Sequence, residues 1–153
     1  MKNIKILLAT AIIAAFTLTS CSKDDNNNGP VTNGSITEKW NPIKTIITTN
    51  GLDTTQSYGD NVATCDKNFL EFTATTANFV VYYKNSTGAC QQDAPNTATY
   101  VKSGNNLVIT GGKYNGSYTI TTLSGSELIV KSVGTQSGIQ FTTMTYFTKA
   151  TVI

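Results

Sequence analysis

The stretch NLVITGGKYNGSYTITTLSGSELIV, residues 106–130, holds three segments of alternating apolar residues separated by two glycine turns. Leu107 and Ile109 alternate with Val108 and Thr110, Tyr118 and Ile120 alternate with Thr119 and Thr121, and Leu128 and Val130 share one face across Ile129. A repeat of two places successive side chains on opposite faces, which is the pattern of a half-buried strand and not of a helix. Gly111-Gly112 and Ser124-Gly125 reverse the chain between these strands. The segment reads as an antiparallel meander. A last strand over residues 138–149 continues it, with Ile139, Phe141 and Phe147 on one face.

Toward the N-terminus the same pattern recurs with less regularity. Residues 68–75 carry Leu70 and Phe72 on one face, and residues 77–84 carry Phe79, Val80, Val81, Tyr82 and Tyr83, so a hairpin is expected between them. A short strand is expected around Tyr100. Residues 38–49, with Trp40, Ile43, Ile46 and Ile47, read as the first strand. Pro42 lacks an N–H and marks an edge or a bulge in it. Residues 50–61 are polar and read as a long loop capping one end of the domain, and residues 85–95 as a second rim loop. The body is rich in threonine, tyrosine, valine, isoleucine and phenylalanine, which suit pleated, half-buried surfaces. The fold class is therefore all-β. Closure into a barrel removes the exposed edges of such a meander, and a β-sandwich is the alternative.

The first 35 residues are of another kind. Lys2 and Lys5 precede an apolar run from Ile6 to Phe16, and Leu18-Thr19-Ser20-Cys21 closes it. That order matches the charged, hydrophobic and cleavage regions of a bacterial export signal ending in a lipobox. Residues 1–20 are read as a lipoprotein signal peptide, with Cys21 as the lipidated first residue of the mature chain. A transmembrane anchor fits less well, because the run is shorter than the ~20 apolar residues a spanning helix needs. Residues 21–35 have too little apolar surface to repay ordering and read as a flexible tether, leaving residues 36–153 as one domain. The tether opens with Ser22-Lys23-Asp24-Asp25, which resembles the lysine-plus-acidic signal that takes some Gram-negative lipoproteins to the outer face of the outer membrane. The expected location is the outer membrane, facing the periplasm or the cell surface.

Charge and chemistry narrow the function. Loss of Lys2 and Lys5 with the leader brings the 11 lysines level with the 9 acidic residues, and the chain has no arginine and no histidine. Nucleic-acid binding has no source of attraction in such a chain. The commonest general base and metal ligand is missing, so neither a metal nor a cofactor is expected. No serine or threonine has a histidine to activate it, and no two acids form a recognisable catalytic pair, so the chain reads as a non-enzyme. With Cys21 committed to lipid, Cys65 and Cys90 remain as an even pair in an oxidising compartment, and a disulfide between them is expected.

The order of Trp40 in a first strand, Cys65 before Leu70-Glu71-Phe72, Cys90 after the next hairpin, and then Leu107-Val108-Ile109, Tyr118-Thr119-Ile120 and Leu128-Ile129-Val130 resembles the lipocalin-like lipoprotein families of Gram-negative bacteria. The resemblance implies an antiparallel up-and-down barrel of about eight strands, wide enough to hold a small hydrophobic or amphipathic ligand. Trp40, Phe72, Tyr118 and Phe141 are then the candidate ligand-pocket residues, because alternation can turn them inward. The same aromatics can instead fill a solid core. In that case the domain is a structural or protein-interaction module that touches an envelope or host protein through its rim loops.

Overall fold

A computed structural model describes residues 31–58 and 65–151. The leader, Cys21 and residues 22–30 of the expected tether lie outside the described residues. Twelve strands form within them: β1 (Val31–Thr32), β2 (Lys39–Thr49), β3 (Leu52–Ser57), β4 (Phe69–Phe72), β5 (Thr76–Val80), β6 (Tyr82–Lys84), β7 (Cys90–Gln92), β8 (Asn96–Ser103), β9 (Asn106–Thr110), β10 (Gly116–Leu123), β11 (Glu127–Gln136) and β12 (Ile139–Lys149). No helix forms among the described residues.

Eight of these strands close on themselves in the order β2-β4-β5-β8-β9-β10-β11-β12 and back to β2, each pair antiparallel. This is the up-and-down barrel, and the sandwich alternative is excluded by the closing β9–β10 and β12–β2 ladders. Alternation sets the inward face as the sequence predicts. In β9, Leu107 and Ile109 are buried while Asn106, Val108 and Thr110 are exposed, and in β11 Leu128 and Val130 are buried. Glu71 points outward between its buried neighbours and meets Lys39 at 3.7 Å. An ion pair that is open to water adds little to stability.

Two bulges correct the phase where simple alternation would put the wrong residue inside. The β10–β11 register shifts between Ile120 and Thr122, so that Leu123, and not Thr122, follows Ile120 into the core. The β12–β2 register shifts between Tyr146 and Phe147, opposite Pro42, so Trp40 and Pro42 point inward below the shift and Thr45 above it. One extra residue on one strand re-aims every side chain beyond it. Pro42 therefore marks a bulge, as its missing N–H requires.

One end of the barrel is sealed from within. Trp40 is 0% exposed and its indole Nε1 donates to the Ile36 carbonyl at 3.0 Å, which folds residues 36–38 across the opening. Tyr100 donates to the Thr73 carbonyl at 2.7 Å and meets Phe72 edge to face at 4.9 Å on the same side. Val31 and Thr32, at the end of the stretch read as a tether, pair in parallel with Thr122 and Leu123, and the Gly34 N–H donates to the Leu123 carbonyl at 3.0 Å. A Cβ on Gly34 would collide with the Ser124 backbone, so only glycine allows this approach.

The other end departs from expectation. Of the stretch 50–61 read as a loop, the described residues 50–58 do not form a simple loop, because Asn50-Gly51 turns the chain into β3, which pairs with residues 44–49 of β2, and residues 59–61 lie outside the described residues. Residues 131–136 of β11 and 139–145 of β12 run past the barrel rim alongside them. The result is a four-stranded ribbon, β11-β12-β2-β3, projecting from the open end. Its surface keeps Leu52, Val133 and Ile139 exposed at 76%, 56% and 47%. The strand read over residues 77–84 breaks at Val81. Its second half, β6, leaves the barrel to pair with β7, and this small hairpin is stapled by the expected disulfide between Cys65 and Cys90.

Candidate binding site

The four aromatic candidates part company in the structure. Phe72 and Tyr118 line the barrel interior together. Trp40 is core, committed to sealing the closed end. Phe141 shares a face with Phe147, but it lies beyond the rim on the ribbon, opposite Thr49 and Gly134, with its ring against Gly134. Alternation tells which side a residue takes, not how far along an eleven-residue strand the barrel reaches, so Phe141 is not brought to the interior.

The interior is full. Between Leu70, Phe72, Leu107, Leu128, Phe147 and their neighbours a void of only about 10 Å³ remains. That is room for about one water and not for a ligand. An eight-stranded barrel is just wide enough either to be filled by its own side chains or to hold a small molecule, and here large aromatics take the space.

The residue that closes the open end is one the sequence did not single out. Tyr114 stands in the loop between β9 and β10, a turn that would ordinarily face water. It enters the barrel instead. Its ring meets Phe79 at 5.2 Å and 85° and Phe147 at 5.9 Å and 60°, both edge to face. Such contacts favour aromatic rings over other side chains of like size. Its hydroxyl is buried with no hydrogen-bond partner among the described residues. The Tyr58 phenol stands beside it. Glycines on both sides of a lone tyrosine were the one available signal, and they equally describe an exposed turn.

Around Tyr114 a small set of hydroxyls converges. Thr45 and Thr145, each 7% exposed, face one another across β2 and β12 at 3.3 Å, and Thr45 Oγ1 donates to Tyr58 Oη at 3.3 Å. Tyr118 Oη donates to the Tyr114 carbonyl at 3.0 Å and so holds the loop down. Burial pushes the Tyr114 phenol far above its usual range, and the neighbouring Tyr58 and Tyr118 phenols push the same way. Tyr118 is raised by burial first and by Tyr58 second. With the Tyr114 ring in place the chamber is filled; with it displaced, an apolar chamber with a few convergent hydroxyls at its mouth could hold and orient a small amphipathic molecule.

These shifts set an alkaline limit. A phenol kept protonated by burial loses its proton in the unfolded chain near the ordinary pH of ~10 but holds it in the folded one. The unfolded state is then favoured as pH rises, so stability from Tyr114 is fully present below pH ~10 and declines above it by up to about 1.4 kcal/mol per unit. Urea titrations followed by circular dichroism between pH 8 and pH 11 should show this fall. Tyr114→Phe should remove most of the slope, and an unchanged slope in that variant would place the titrating group elsewhere.

Beside the plug, outside the barrel, lies an open recess of about 360 Å³ lined by Phe79, Val81, Asp93, Ala94, Asn96 and Lys113. Lys113 Nζ sits 4.4 Å above the Phe79 ring there. Comparison with known proteins gives one family: the model described as a lipocalin-like domain matches residues 36–130. No curated protein matches the chain.

Proposed function

From the premise that this chain belongs to the lipocalin-like domain family, we propose that it is an exported, lipid-anchored binding protein. Cys21 carries the acyl chains, the tether read over residues 21–35 runs from it to the barrel, where its end docks through Val31, Thr32 and Gly34, and the open end of the barrel takes a small hydrophobic or amphipathic molecule. Two chains on one cysteine suffice for stable anchoring where a single chain does not. The observation that carries the reading is Tyr114: at the mouth of an otherwise strand-built apolar chamber, one loop side chain stands between the interior and the solvent. The site binds without catalysing.

Native mass spectrometry of the full chain exported by its producing organism tests both halves. The expected mass is that of a chain cut before Cys21, acylated, with a small molecule associated. A bare polypeptide mass would count against ligand binding, and an uncut leader would count against the anchor.

A second reading has its own observation. Leu52, Val133 and Ile139 stand exposed on the ribbon, and Ile43 joins them at the bulge. Exposed apolar residues grouped on one projection suit contact with another protein. On that reading the same measurement returns no small molecule and a larger assembly.

A further inference from the structure

We propose that Tyr114 is a resident stand-in for the ligand: its phenol ring occupies the seat of a single aromatic ring on an amphipathic molecule, which enters by displacing the loop of residues 111–116. The proposal rests on the small-ligand reading and deepens it by naming the part of the molecule that the barrel recognises.

The seat is shaped for a flat ring. Phe79 and Phe147 present to Tyr114 in edge-to-face geometry, an arrangement that an aliphatic occupant cannot reproduce. The other large side chains around it, Leu107, Leu128 and Phe147 among them, stand on barrel strands and cannot leave without breaking ladders. Tyr114 alone of the cavity lining comes from a turn. Its loop is held by the Lys113 N–H on Asn96 Oδ1, the Gly111 N–H on Asn115 Oδ1 at 2.9 Å, and the Tyr118 hydroxyl on the Tyr114 carbonyl. Water can replace each of these once the loop lifts. Gly111, Gly112 and Gly116, with φ of 87°, 68° and 155°, frame the loop with residues that can change backbone region at little expense.

The plug is also imperfect. A buried hydroxyl with no partner is a standing penalty, removed when Tyr114 swings out into water. A ring in the vacated seat would still have Tyr58 and Tyr118 hydroxyls nearby for its own polar substituent. The recess alongside shares Phe79 with the seat and carries Asp93 and Lys113, so a ligand whose ring is buried can lay its polar remainder there. Removing the ring opens space on the order of 100 Å³, approaching the ~150 Å³ apolar cavities that stay dry and accept benzene.

The probe is p-cresol, the tyrosine side chain as a free molecule, titrated into the full exported chain by calorimetry and by NMR of the tyrosine rings. Tyr114→Ala should bind it at least tenfold more tightly than wild type, Tyr114→Leu should fall between them, and Tyr114→Phe should bind no more tightly than wild type. In wild type, saturation should shift the Tyr114 ring resonances. Equal affinity in all four proteins, or binding that leaves the Tyr114 ring unmoved, would overturn the proposal. Should Tyr114→Ala not fold, Tyr114→Leu carries the same comparison, and affinity no higher than wild type overturns it. Tight p-cresol binding by Tyr114→Ala beside a bare native mass would support the seat and overturn the ligand-binding function. A co-purifying molecule beside equal p-cresol affinities would keep that function and remove Tyr114 from it.

Discussion

Trp40→Ala should lower the free energy of unfolding by about 3–5 kcal/mol, the range for emptying a buried large aromatic site. At this chain length that corresponds to a fall in Tm on the order of 10–20 °C. The reason lies in what the indole joins. Trp40 is fully buried where β2 pairs with both β4 and β12, and its Nε1 holds the Ile36 carbonyl, so the ring closes the barrel floor and fastens the segment that covers it. Against a typical stability of roughly 5–15 kcal/mol the loss is a large fraction. Trp40→Phe separates the two contributions. It keeps most of the packing and removes one of the two donors to the Ile36 carbonyl, which still accepts the Glu38 N–H at 2.7 Å, so its cost should be about 0.5–1.5 kcal/mol. The chain has one tryptophan, so the measurement must be far-ultraviolet circular dichroism in urea and not fluorescence. A Trp40→Ala loss below about 1 kcal/mol would mean that the closed end is not sealed as described.

Removing the disulfide should destabilise the barrel by about 3 kcal/mol, the chain-entropy value for a loop of this size. Cys65 and Cys90 are 25 residues apart, and the loop they close contains β4, β5 and β6. In the unfolded chain the bond restricts two barrel strands and the small hairpin at once. In the folded chain it ties that hairpin to the segment entering β4, beside Asn68, whose Oδ1 accepts the Tyr82 N–H at 2.7 Å. The check is the urea midpoint of the exported chain with the bond intact and after replacement by Cys65→Ser with Cys90→Ser. The double variant should also lose protection from amide exchange first in β6 and β7, because their two-stranded ladder has few other supports. Equal midpoints would show that native packing, and not the covalent link, holds this rim.

Most of the barrel wall was legible from residue order. Leu107 with Ile109 and Leu128 with Val130 declare an inward face with a repeat of two, and the pairing of Cys65 with Cys90 followed from counting cysteines outside the cytoplasm. The site was legible only in part. Phe72 and Tyr118 reach the interior as expected, whereas Trp40 belongs to the floor and Phe141 to the ribbon. Leu52 to Ser57 has an almost wholly polar composition, and nothing local marks it as a strand. It becomes one because β2 overshoots the rim and offers it an unpaired edge.

Side-chain alternation, turn glycines and an even cysteine pair are local properties, since each depends on a few neighbours along the chain, and together they were enough to specify a closed antiparallel all-β domain. Whether that barrel is hollow is a matter of volume summed over strands far apart in sequence, and no window of residues contains the sum. Tyr114 shows the difference most plainly. As part of a glycine-flanked turn it has every local reason to face water, and its ring turns inward because Phe79 and Phe147, 35 and 33 residues away along the chain, stand on either side of an apolar seat within its reach.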